Sequence, residues 1–176
     1  VVQVLKEPDK SAQSQSYMWV QTGGPPERPV VLFDYDPSRS GRVATRLLDG
    51  FSGYMMSDGY DGYNAAARSA SVNHLACWTH ARRRFIEAQR VQPKGKTGKA
   101  DVGVNYIAKL YAIEKLLKDC SQEIRTTTRQ EKSRAVLSEL RAWLDKSLAG
   151  VPPQSKLGDA LRYLDKYWSR LVRYTE

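Results

Sequence analysis

The feature that most constrains this chain is a change of apolar period partway along it. Up to Arg90 the apolar residues come in short runs bounded by Gly, Pro, Asp and Ser. From Tyr106 onward they recur at alternating spacings of four and three. The first pattern belongs to strands separated by turns, the second to amphipathic helices that each bury one face. A chain carrying both is expected to be an α/β (α+β) protein with a helical second part. Its 176 residues are enough for one domain with a real core, or for a small core plus a helical appendage.

In the first part, Tyr17 to Gln21 and the apolar run Val30 to Tyr35 read as two strands joined by a turn through Gly23, Gly24, Pro25 and Pro26. Val1 to Leu5 reads as the tail of a preceding strand, interrupted by Pro8. Ser40 is placed to cap a helix running through Leu48, with Asp49 and Gly50 as its stop. The run Tyr54 to Ser57 is the next strand, and Val72 to Trp78 another, followed by a helix over Ala81 to Gln89. Asp34 and Asp36 flank Tyr35 and mimic a metal-binding pair. Pro37 favours a terminating loop there, so that role is rejected.

Gln92 to Lys99 combines Pro and Gly with lysines and reads as a solvated linker or hairpin tip. Beyond it, Tyr106, Leu110, Ile113, Leu117, Cys120 and Ile124 fall on one helix face. Thr128 with Glu131 forms a capping-box pattern ahead of the stripe Val136, Leu140, Trp143, Leu144 and Leu148. Ser155 then opens a third helix with the stripe Leu157, Leu161, Leu164, Trp168 and Leu171. The expected organisation is a partial core over residues 1–92, a linker over 93–100 and a helical subdomain over 101–176.

The segment from Gly53 to Phe85 carries the chemistry. An apolar strand stops at Asp58, and Gly59 lets it end sharply, so Asp58 is expected at a strand tip. On local grounds alone an Asp followed by Gly is a turn former, and Asp61 keeps that reading. Arg82, Arg83 and Arg84 are consecutive, so on a helix they fan over most of a turn and cannot all be buried. They either form a solvated face or contact phosphate. The same choice holds for Arg39 and Arg42. Cys77 and His80 have the spacing of a metal knuckle with His74 nearby, but no second Cys/His pair follows at a usable distance. A packed thiol and a hydrogen-bonded histidine is the better reading. Trp78, Trp143 and Trp168 are read as core.

The formal net charge of +9 favours a polyanionic partner, because each phosphate neutralised releases condensed counterions. The two cysteines, Cys77 and Cys120, are far from the dense spacing of a secreted disulfide scaffold, which suits a reducing cytoplasm. No apolar run approaches the roughly 20 residues needed to span a bilayer, so no membrane partner is expected. The start VVQVLKEPDK lacks the order of a signal peptide.

Five segments carry a resemblance to a known family: SYMWVQTGG (Ser16 to Gly24), FDYDPSRSG (Phe33 to Gly41), GYMMSDGYDGYN (Gly53 to Asn64), HLACWTHARRRF (His74 to Phe85) and KLGDALRYLDKYW (Lys156 to Trp168). In order and spacing the chain closely resembles the insertion-sequence-66 family of bacterial transposases. That resemblance implies a ribonuclease-H-like mixed sheet with an all-helical insertion, and metal-dependent cleavage and transfer of DNA strands. Two aspartates and a glutamate would hold Mg or Mn in the intact enzyme, and Asp58 matches the second aspartate. The first aspartate would lie before Val1 and the glutamate after Glu176, so the chain is expected to be the central piece of a longer enzyme. Alone it would be inactive and hold no metal tightly. The implied partners are DNA, as transposon ends and target, with a second copy or accessory transposition proteins as further candidates. Arg82, Arg83, Arg84 and His80 are the residues expected at the DNA. The alternative is a basic DNA-binding or assembly module without catalysis.

Overall fold

The computed structural model describes residues 1–4, 8–11, 13–25, 27–68, 71–93 and 95–176. Leu5 of the expected first strand, Pro26 of the expected turn and Lys94 of the expected linker lie outside these. The chain is a mixed α/β protein with two small sheets and a set of helices. It divides into two compact units, residues 1–53 with 60–73, and residues 54–59 with 74–176.

In the first unit β1 (Val2–Gln3), β2 (Gln15–Gly23) and β3 (Val30–Asp36) form an antiparallel sheet in that order. Trp19 pairs with Asp34, and Val20 with Phe33. Since side chains alternate across a sheet, Trp19 and Val20 must point to opposite faces. Trp19 enters the core with Val43 and Ala44 of helix α1 (Gly41–Leu47) and Ala66 of the short helix α2 (Tyr63–Ala66). The opposite face carries Met18, Val20, Val31, Phe33 and Tyr35, all exposed, with Phe33 at 68%. Helix α1 begins as the sequence indicates, the Ser40 Oγ accepting from the Arg42 amide at 3.3 Å. Such a cap contributes about 1 kcal/mol.

The expectation for Asp34 and Asp36 is corrected here. Strand β3 continues to Asp36, so the two carboxylates do share a face. Arg46 of α1 occupies both, with Nη2 at 2.8 Å from Asp34 and 3.5 Å from Asp36. Asp36 also accepts from the Ser38 amide at 2.8 Å, which lets the chain turn through Pro37 after the strand rather than before it.

In the second unit β4 (Gly53–Ser57) pairs with β5 (Val72–Ala76), of which residues 54–57 and 74–76 belong to this unit. Helix α3 spans Trp78–Arg90, starting earlier than the sequence suggests. Cys77 keeps an extended backbone and acts as the N-cap, its carbonyl accepting from the His80 and Ala81 amides. Trp78, expected as the last residue of the strand, is the first residue of the helix. On the helix its indole donates to the Leu171 carbonyl at 2.9 Å.

Helix α4 (Lys99–Leu116) buries Ala100, Gly103, Ile107 and Leu110, so the buried face shares Leu110 with the expected stripe, whose Leu117 is also buried and whose Tyr106 and Ile113 are half-buried, but is turned toward Gly103 and Ile107. The cause is close approach: a Cβ on Gly103 would meet the Phe85 ring at 2.6 Å, so small residues define the contact face. Its N-terminus is fixed by Asp101, which accepts from the Gly98 amide, Gln89 and Gln92 at 2.7–2.8 Å. The bond from the Gly98 amide, ahead of the two glutamines, holds the Asp101 carboxyl below the usual range.

The helix does not continue to Ile124. It breaks after Leu117, and Ser121 caps a new helix, α5 (Gln122–Thr128), leaving Ile124 exposed. Thr128 is not a cap either: its backbone is helical, and the chain runs on through a π-helical turn, Arg129–Ser133, into α6 (Arg134–Leu148). A capping box needs a non-helical first residue, which Ser121 already supplies one helix earlier. Helix α7 (Lys156–Lys166) starts at Ser155 as expected, the Oγ accepting from the Gly158 amide at 2.9 Å. A short helix, α8 (Trp168–Val172), follows. Leu161, Leu164 and Leu171 are fully buried in one core with Phe85, Ile107, Leu140 and Leu144. Helix α3 therefore shares its packing with the helices beyond the 93–100 segment.

Candidate functional site

Asp58 follows directly on the last residue of β4 and is exposed. Two devices hold the backbone around it. Below, on the strand side, Ser57 Oγ lies 2.7 Å from Nε2 of the buried His74 on β5 and 3.5 Å from the Gly59 amide, which donates to it. Beyond the tip, the Tyr163 hydroxyl donates to the Asp58 carbonyl at 3.1 Å and the Tyr167 hydroxyl to the Gly59 carbonyl at 2.7 Å. Gly59 has φ +86°, and a Cβ there would meet Tyr167 Cζ at 3.1 Å and the Tyr163 hydroxyl at 3.2 Å. Only glycine meets both the backbone and the packing demand.

Tyr163 also connects this tip to the basic helix. The Arg84 guanidinium lies 4.5 Å from the centroid of its ring, a cation–π contact. Burial pushes the Tyr163 hydroxyl up to about 12, the neighbouring Tyr167 adding to the effect, so it remains a proton donor across the range in which proteins fold. Arg82 and Arg83, on the same helix, are exposed and make no ion pair among the described residues. His80 is half-buried in the first turn of α3, with its Nδ1 lacking a hydrogen-bond partner among the described residues. His74 Nε2 has the Ser57 hydroxyl as its partner, while Nδ1 of His74, like that of His80, lacks one among the described residues. Tyr163 and Tyr167 escape a stripe-based reading because leucines define that helix face. Two tyrosines spaced four apart beside a buried stripe were the available signal.

His74 is held neutral. Burial first, then the positive charges of Arg170 and Arg173, lower its pKa to about 4 from 6.5. The unfolded chain takes up this proton as pH falls below 6.5, while the folded chain resists until about 4. The stability contributed by neutral His74 is therefore complete above 6.5 and lost on the way down to 4. Urea titrations between pH 6.5 and 5 should show stability falling by up to about 1 kcal/mol per pH unit. His74→Gln should flatten that slope; an unaltered slope would assign it to other groups.

The donor set does not by itself fit a divalent ion. Among the described residues no group of three or more His, Cys, Asp or Glu side chains converges, and Mg needs near-octahedral oxygen ligation. Cys77 and Cys120 are free thiols. Among the described residues, no helix is long and apolar enough to cross a membrane.

The fold and site define a basic α/β protein that presents a carboxylate at a strand tip beside an arginine-bearing helix. The chain matches the family model described as "Transposase IS66 family" over residues 1–176, and it belongs to that family. It is similar to three uncharacterized proteins of Sinorhizobium fredii. Identity to y4jD is 31% over 157 residues, covering 86% of this chain and 30% of that protein. For y4hP it is 28% over 153 residues, 80% and 28%. For y4qI it is 26% over 168 residues, 89% and 31%. The chain thus spans less than a third of the length of these relatives. No solved structure matches it.

Proposed function

We propose that this chain is the central part of the catalytic domain of a DNA transposase that cleaves and joins strands at the ends of an insertion sequence. In this reading residues 1–92 contribute to a ribonuclease-H-like core and residues 101–176 are a helical insertion into it. The longer protein would use Mg or Mn, with Asp58 as one of its carboxylates and the other ligands supplied from outside these residues. The observation that carries the reading is Asp58 at an exposed strand tip tied through Tyr163 to Arg84, within a chain whose whole length matches a transposase family. Backbone contact with DNA phosphates falls to Arg82, Arg83 and Arg84, with His80 at the start of the same helix.

A second reading has one observation in its favour. The absence of a converging metal-donor set among the described residues is what a non-catalytic, basic DNA-binding or assembly module would also show. Both readings require DNA binding, so its electrostatics test the shared claim. The chain should bind duplex DNA without sequence preference, weakening as salt rises. The triple variant Arg82→Ala, Arg83→Ala, Arg84→Ala should flatten the plot of log K against log salt by roughly two units, the loss of about two phosphate contacts. An unchanged slope would make the arginines bystanders.

A further inference from the structure

The geometry points to Tyr163 and Tyr167 as positioning residues for Asp58: from α7 and its C-cap their two hydroxyls grip the successive carbonyls of Asp58 and Gly59 and so set the direction in which the Asp58 carboxylate leaves the strand tip. The inference rests on the reading of Asp58 as a catalytic carboxylate.

Three observations support it. Both bonds go to consecutive carbonyls, Asp58 at 3.1 Å and Gly59 at 2.7 Å. The first bond orients the plane of the Asp58–Gly59 peptide and the second the carbonyl that follows it, so together they restrict rotation about the Gly59 backbone, whereas one bond would leave it free to turn. The space next to Gly59 is closed by the same two rings, so the loop cannot retreat from the hydroxyls without losing packing as well. The rings are themselves held, lying 4.7 Å apart centroid to centroid, with both residues buried in the core of the second unit. A buried phenol without its partner costs more than an exposed one, which gives the arrangement a reason to persist. A carboxylate that must act from one direction requires support of this kind, since orientation as well as identity sets the geometry of a site.

Arg84 extends the inference to the basic helix. Its guanidinium covers the Tyr163 ring at 4.5 Å, so the residue that fixes Asp58 is also in contact with the helix proposed to meet DNA. A change in that ring's position would reach both.

The experiment uses Tyr163→Phe, Tyr167→Phe and the double variant, which keep the rings and remove only the hydroxyls. In the 176-residue chain, amide hydrogen exchange at residues 57–60 should accelerate by about 5- to 30-fold in the double variant, the effect of losing one or two ordinary hydrogen bonds. Exchange at Leu161 and Leu164 should stay as in the parent. In the longer transposase the same variant should lower kcat for strand cleavage with KM for DNA unchanged, a split that a general loss of stability would not give. Unchanged exchange at 57–60 would overturn the proposal, as would acceleration spread evenly over α7. If the double variant does not fold, the single variants carry the same measurement, each expected to show the smaller acceleration. Loop acceleration together with an Asp58→Asn transposase that still cleaves would retain the clamp and overturn the catalytic reading on which its role depends.

Discussion

In the longer protein, Asp58→Asn is expected to reduce DNA cleavage by roughly a thousandfold or more, about 4 kcal/mol of transition-state stabilisation, while DNA affinity changes little. The side chain is exposed at the end of β4, so the substitution should leave stability within about 0.5 kcal/mol. Asparagine keeps the shape and removes the negative charge, which isolates the carboxylate's role from its packing. Gel-based cleavage assays with labelled element ends, paired with binding isotherms, separate the two effects. The 176-residue chain alone should neither cut DNA nor hold Mg tightly, since one carboxylate supplies a fraction of the oxygen ligands required. Cleavage by that chain, indifferent to Asp58→Asn, would defeat both the site and the view that further residues complete it.

Phe85→Ala is expected to be the most damaging core substitution, costing about 3–5 kcal/mol. The ring is fully buried at the crossing of α3 and α4, pressed on the bare backbone of Gly103 and lying 6.1 Å from the Trp143 ring. Gly103 offers no side chain to move into the space, so the cavity cannot collapse cheaply. The thermal midpoint followed by near-ultraviolet circular dichroism of the buried tryptophans should fall by roughly 6–20 °C, taking about 2–4 °C per kcal/mol. A fall of under about 3 °C would mean that α3 and α4 do not depend on this contact.

Much of the architecture was legible because local signals were strong. Ser40 and Ser155 start helices where their spacing says, and the leucine stripe of α7 is the one that is buried. The strand ending at Asp58 and the strand leading to the arginine helix are both present and paired. What was not legible depended on contacts far away in sequence. The buried face of α4 is chosen by Phe85, and it selects Ala100 and Gly103, residues that carry almost no hydrophobic signal. Thr128 and Glu131 satisfy a capping pattern without starting a helix, because the chain is already helical when it reaches them. Asp34 and Asp36 share a face because an arginine ten and twelve residues on makes that favourable. The tyrosines at the Asp58 tip were hidden for the same reason, being defined by partners on a strand more than a hundred residues earlier.

That separation has a consequence for how the protein comes into being on the ribosome. Tyr163 lies 105 residues after the carbonyl it binds, so at roughly 5–20 residues per second the Asp58 tip waits about 5–20 s for the first of its two restraints. During this interval the strand tip has emerged and the Gly59 amide can reach Ser57 Oγ, but neither carbonyl has its tyrosine. The geometry at Asp58 is therefore settled late in synthesis, after the helices between have been made, and a nascent chain cannot present a finished site before α7 is complete. In the proposed reading, a partly made copy would lack the settled carboxylate that strand cleavage needs.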